Sequence, residues 1–123
     1  MLDFVPVSAP LVRGILTTCF VEVAADVSLA DLHGAMARDY EEEPFVRVIQ
    51  GRLPQVGAVA GSMYCDVGLS VGEVVAGGRR TVVAHSALDN LVKGGAGQAV
   101  QSMNICLGLD DRAGFMGYTG IWP

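Results

Sequence analysis

The stretch from Ser86 to Asn104 reads SALDNLVKGGAGQAVQSMN, and the fold turns on how it is read. It leaves an apolar strand, passes a polar turn at Asp89 and Asn90, crosses a glycine-rich loop at Gly94, Gly95 and Gly97, and enters a helix running to about Leu107. The glycines stand ahead of the helix's apolar stripe of Ala96, Ala99, Val100, Met103 and Leu107, while Gln98, Gln101, Ser102 and Asn104 point elsewhere. A helix start carries unpaired N–H groups and a partial positive charge, which suits an anion such as phosphate, and Lys93 adds a full charge beside it. A close-packed strand-to-helix turn without a ligand fits the same residues. Gly108 suits the helix C-cap.

Working upstream, Thr81 to Leu88 (TVVAHSAL) is strand-like, and His85 within it either lines a site or is a hydrogen-bonded core residue. Met63, Cys65, Val67, Leu69 and Val71 alternate with Tyr64, Asp66, Gly68 and Ser70, which predicts a strand with one buried face. Gly72, Gly77 and Gly78 between these two segments predict a hairpin and antiparallel pairing. Gly51–Pro54 reads as a turn before a second apolar run, Val56–Val59, and Phe45–Ile49 as a short strand. Ser28 and Asp31 have capping-box spacing, and Leu29, Leu32, Met36 and Tyr40 follow as a helical stripe. His33 reads as partly buried and non-catalytic, and Glu41–Glu43 as a solvated helix end stopped by Pro44. Ile15–Ala24 (ILTTCFVEVA) is apolar on both faces, which predicts a strand covered on each side. Pro6 and Pro10 mark an extended entry, and Phe115, Tyr118, Ile121 and Trp122 read as anchors of an irregular tail. The order strand, helix, strand, strand, strand, helix predicts an α+β fold: a mixed, mainly antiparallel sheet with helices on one face.

At 123 residues the chain fits one domain, and 51% hydrophobic against 17% charged residues argues against disorder. A net charge of −5 argues against a broad nucleic-acid surface. The sequence has neither a bilayer-length apolar run nor a convincing signal peptide, so no membrane partner is expected. Cys19, Cys65 and Cys106 lie in apolar segments and read as buried, reduced thiols of a cytoplasmic protein. None has the electropositive, accessible flanks of a catalytic thiolate, and no metal set is spaced along the chain.

Several segments in order carry a family resemblance over roughly residues 4 to 123. These are Pro10 with Arg13-Gly14-Ile15, Glu43-Pro44-Phe45-Val46-Arg47-Val48, Gly61-Ser62, Asp66-Val67-Gly68, Leu88-Asp89-Asn90-Leu91-Val92-Lys93-Gly94, Ala96-Gly97-Gln98-Ala99-Val100-Gln101 and Met103-Asn104. The chain resembles the C-terminal region of N-acetyl-gamma-glutamyl-phosphate reductases of arginine biosynthesis and of the related lysine-pathway aminoadipyl-phosphate reductases. The resemblance implies part of a glyceraldehyde-phosphate-dehydrogenase-like catalytic and dimerisation domain that reduces an acyl phosphate to an aldehyde with NADP as cofactor. It implies Asn90 near that cofactor, Asp89 shaping the same turn, and Lys93, Gly94 and Gly95 as the loop meeting the other domain. Arg13 would contact a substrate anion, or form a buried ion pair. The family's "N-P-G-C" cysteine, its "H-R-H" motif and a GxGxxG dinucleotide fold have no counterpart here; Val7, Met63 and Gly95 replace a usual histidine, asparagine and alanine. The 123 residues are therefore expected to be inactive alone and without a catalytic residue of their own. They would self-associate and work with a missing N-terminal domain or a partner chain. A stand-alone interaction module is the alternative.

Overall fold

The computed structural model describes residues 3–75 and 77–115. Its elements are β1 (Ile15–Ala24), α1 (Leu29–Asp39), β2 (Val46–Ile49), α2 (Val56–Val59), β3 (Cys65–Val75), β4 (Arg79–Leu88), a π-helical turn (Val92–Ala96) and α3 (Gly97–Cys106). The apolar run Val56–Val59 is thus one turn of helix, and Tyr118, Ile121 and Trp122 lie outside the described residues.

The strands form one sheet in the order β1-β4-β3-β2. β4 is antiparallel to both β1 and β3, as the hairpin glycines predict. Gly77 and Gly78 turn the hairpin at φ 92° and 68°, a left-handed conformation that a side chain disfavours. β2 runs parallel to β3 because α2 and its flanking turns carry the chain back across the sheet between them. The sheet is therefore mixed and mainly antiparallel. α1 starts with the expected capping box, with Ser28 Oγ accepting from Asp31 N–H at 3.1 Å and Asp31 Oδ2 accepting from Ser28 N–H at 3.0 Å. It packs on β3 and β2.

The strand registers bring four chain positions abreast. Leu88 faces Ile15 on one side and Cys65 on the other, and Cys65 faces Val46. Residues just before β1, β2 and β3 and just after β4 therefore gather at one end of the sheet. Most of the buried core lies toward this end, where Val59 and Ala87 are fully buried and Phe45, Met63 and Val67 nearly so; Val82 is buried in the other half of β4.

Four expectations about burial fail. β1 is an edge strand exposed along both faces, with Phe20 at 73% and Val21 at 52%, because β4 alone pairs with it and α1 packs mainly over the sheet's far half. The Asp66 face of β3 is buried as well as the Val67 face; Asp66 is inaccessible and paired with Arg47 at 2.6 Å. On α3 it is Asn104, and in part Gln101, that faces inward, while Gln98 and Ser102 are exposed. Gly97 and Asn104 are buried, while Val100, Met103 and Leu107 of the apolar stripe are exposed. Cys19 and Cys106, on these uncovered surfaces, are exposed rather than buried, and Cys65 is half-buried.

Candidate functional site

Asp89, the first residue after β4, is the centre of the crowded end. Its Oδ1 accepts the N–H groups of Leu91 and Val92, each at 2.9 Å. Its Oδ2 accepts Gly61 N–H at 2.6 Å and lies 2.6 Å from Arg13 Nε. The side chain is wholly buried. Burial alone would raise its pKa, but the Arg13 guanidinium and the N–H groups of Gly61, Val92 and Leu91 outweigh that and hold it at about 2. The next residue repeats the link, since Asn90 Oδ1 accepts Gly14 N–H at 2.6 Å. Gly14 must be glycine: its φ is 107°, and a Cβ there would run into Val56 Cγ1. Sequence reasoning leaves Arg13 between a substrate anion and an internal ion pair; the geometry supplies the ion pair.

The glycine segment is not an open loop. Gly94 N–H donates to Asp89 O at 2.9 Å and Ala96 N–H to Leu91 O at 2.8 Å, so helical bonding already begins at Val92. A kink at Gly95 (φ −138°, ψ −109°) joins this π-helical turn to α3. The helix start has its own internal anion, because Asp89 takes the N–H groups of Leu91 and Val92.

Lys93 projects from this turn. Its Nζ donates to Gln101 Oε1 at 2.8 Å and stands 5.6 Å from the centroid of the Phe45 ring. Gln101 Nε2 donates in turn to Asp111 Oδ2 at 2.9 Å. Phe45 meets Phe115 and Tyr64 edge-on, with centroids 5.7 Å and 6.3 Å away. Arg47 lies over Tyr64 at 4.4 Å. Arg47 and Arg52 both approach the buried Asp66, Arg52 at 3.7 Å. Gln101, Asp111, Arg47 and Asp66 belong to this end of the molecule although none stands out in the sequence. The "R-V" of the Glu43–Val48 segment, the "D-V-G" of Asp66–Gly68 and the last residue of the Ala96–Gln101 segment hint at three of them, and nothing in the sequence hints at Asp111.

Arg13, Asp89, Asn90, Lys93, Gly94 and Gly95 are therefore neighbours at one end of the sheet. Cys65 is close enough for the Lys93 charge to act on it, yet burial pushes its thiol up, Lys93 only partly offsets this, and Asp66 adds to the rise. That is a poor setting for a nucleophile. His85 stands mid-sheet, with its ring nitrogens 3.4 Å from Thr18 Oγ1 and 3.5 Å from Ser70 Oγ, away from this cluster. His33 is half-buried on α1. Among the described residues no group of three His, Cys, Asp or Glu could hold a metal, and no helix is long and apolar enough to cross a membrane.

Comparison with known proteins matches residues 1–90 to the family described as semialdehyde dehydrogenase, dimerisation domain. An N-acetyl-gamma-glutamyl-phosphate reductase of Alkaliphilus metalliredigens is 44% identical, covering 100% of this chain and 34% of the relative. One of Pelotomaculum thermopropionicum is 46% identical, covering 98% of the chain and 33% of the relative. A putative LysW-L-2-aminoadipate/LysW-L-glutamate phosphate reductase of Natronomonas pharaonis is 40% identical over 98% of the chain and 35% of the relative. The chain thus spans about a third of the length of the curated relatives it matches.

Proposed function

Since this chain belongs to the semialdehyde dehydrogenase dimerisation-domain family, we propose that it is the C-terminal portion of the catalytic and dimerisation domain of an NADP-dependent N-acetyl-gamma-glutamyl-phosphate reductase. One observation carries the reading: the chain matches a single third of such reductases along all of its length. The other two thirds would hold the thiolate that attacks the acyl phosphate, the proton-carrying histidine and the dinucleotide fold. The place of work would be the cytoplasm, where thiols stay reduced.

The residues present fit such a cofactor at one point. Lys93 is a cation held by a neutral amide at the crowded end, and Asn90 keeps Nδ2 as a donor while Oδ1 holds Gly14. The reduced cofactor, NADPH, would supply the hydride that reduces the acyl group and leave as NADP. This chain's part is to form the wall on which the cofactor and the acyl phosphate rest. Asp89 keeps that wall rigid by tying residues 13, 61, 91 and 92 together. Gly94 and Gly95 let the turn approach the other domain closely. Two uncovered surfaces suit the remaining partners. The exposed β1 strand, with Leu16, Phe20 and Val21, fits a second copy, and the outward apolar stripe of α3 fits the upstream portion.

The purified chain is expected to show no phosphate-dependent NADP reduction by N-acetylglutamate semialdehyde. Fused to the upstream two thirds of the Alkaliphilus metalliredigens reductase, in place of that enzyme's matching third, it should restore turnover. A folded, dimeric fusion without turnover would refute the assignment. The Natronomonas pharaonis relative supports a second reading, reduction of a carrier-linked aminoadipyl phosphate; giving the fusion each acyl phosphate separates the two.

A further inference from the structure

Lys93 is held by groups that leave its charge uncancelled. Among the described residues no carboxylate lies within ion-pair distance of it, which is also so of Arg38 and Arg80, whereas Arg13, Arg47, Arg52, Arg79 and Arg112 each have one. Its contacts are the Gln101 carbonyl oxygen and the Phe45 ring. The Gln101 amide cannot turn over. A lysine ammonium only donates and an aspartate carboxylate only accepts, so oxygen must face Lys93 and nitrogen must face Asp111. The negative charge of Asp111 is thereby kept one amide away from the ammonium. Gln101 and Asn104 face inward on the polar side of α3, and Asn104 Nδ2 donates to Ala113 O at 3.0 Å, which ties the Asp111 segment to the helix.

We propose that Gln101, braced by Asp111, is a positioning residue that presents Lys93 as an uncompensated cation to a phosphate-bearing ligand. The ligand's identity rests on the reductase reading; the geometry of the receptor does not. A neutral acceptor orients the ammonium and leaves its charge for an incoming anion, whereas a carboxylate in that place would cancel it.

The test is a titration of the 123-residue chain with pyrophosphate, followed in ¹H–¹⁵N spectra that also report the fold. Saturable binding is expected, weakened about tenfold or more by K93M and retained by K93R. Q101E places a charged acceptor of the same size against Lys93 and should weaken binding comparably at pH 7. Relative to wild type at each pH, the loss should reverse as acid protonates the new carboxyl, which damage to the fold would not do. Unchanged affinity in K93M or Q101E, or no saturable binding by the wild-type chain, overturns the proposal. Parallel titrations with NADP and acetyl phosphate assign the source of the phosphate. An inactive fusion beside a Lys93-dependent titration would remove the reductase reading and leave the receptor, and the reverse pattern would do the opposite.

Discussion

Replacing Asp89 with asparagine changes one charge and almost no volume at the point where the most separated parts of the chain meet. Oδ1 accepts the Leu91 and Val92 N–H groups, and Oδ2 accepts Gly61 N–H and forms the ion pair with Arg13. Asparagine keeps one oxygen. Whichever way it turns, its NH₂ faces N–H groups in a buried site, and the Arg13 guanidinium, its side chain 17% exposed, loses the Asp89 charge. Losing two charge-assisted hydrogen bonds and breaking a buried pair costs about 3–5 kcal/mol. Against a total of about 5–15 kcal/mol for a typical domain, that is a large fraction. Urea unfolding at one fixed protein concentration, because self-association adds to apparent stability, measures it. The pH dependence has a definite sign. With the folded pKa at about 2 and the ordinary aspartate value at 3.8, the Asp89 contribution is fully present above about pH 4 and is lost as the pH falls through 2. The shift sets a ceiling of about 2.5 kcal/mol on that pH-dependent part, and screening at the Arg13 edge brings it to about 1–2 kcal/mol. The gap between wild type and D89N should therefore narrow in strong acid. A variant within about 1 kcal/mol of wild type at pH 7, or a gap that widens below pH 4, would refute this account.

Two further substitutions probe other parts of the structure. G97A puts a Cβ into Met63 Sδ and within 2.6 Å of Val92 O, and should destabilise the chain by about 1–3 kcal/mol in thermal or urea melts; a neutral result would mean α3 sits further from Met63. F20E places a charge on the 73%-exposed ring position of β1 and should weaken self-association at least about tenfold by sedimentation; unchanged association would remove β1 from the interface.

Much of the fold could be read from local pattern. Period-two alternation marks β1 and β3, the apolar run Thr81–Leu88 after the glycines at 77 and 78 marks β4 and the hairpin, and Ser28 with Asp31 marks the start of α1. The cluster of Asp89, Asn90, Lys93 and Arg13 was legible through motif wording, but not its internal wiring. What failed was coverage. Alternation says where a strand lies, not what packs over it, so β1 with two apolar faces reads as central when it is an edge. The apolar stripe of α3 likewise read as inward, because a chain spanning a third of its relatives can keep apolar faces whose cover lies in the remainder. The glycines at 94 to 97 fit an anion site and a close-packed turn equally in the sequence, because glycine content cannot show that a neighbouring aspartate has already taken the helix's first N–H groups.

The link from Asn90 back to Gly14 spans 76 residues, and Arg13 meets Asp89 beside it. Such a closure carries a large entropic penalty until the intervening strands have docked, so it belongs to the final stage of assembly. An interaction formed after the rate-limiting barrier leaves the speed of refolding nearly untouched and governs how long the finished molecule holds together. In the chevron of D89N the unfolding limb should rise while the refolding limb stays in place. The buried carboxylate would then act as a latch whose value is lifetime.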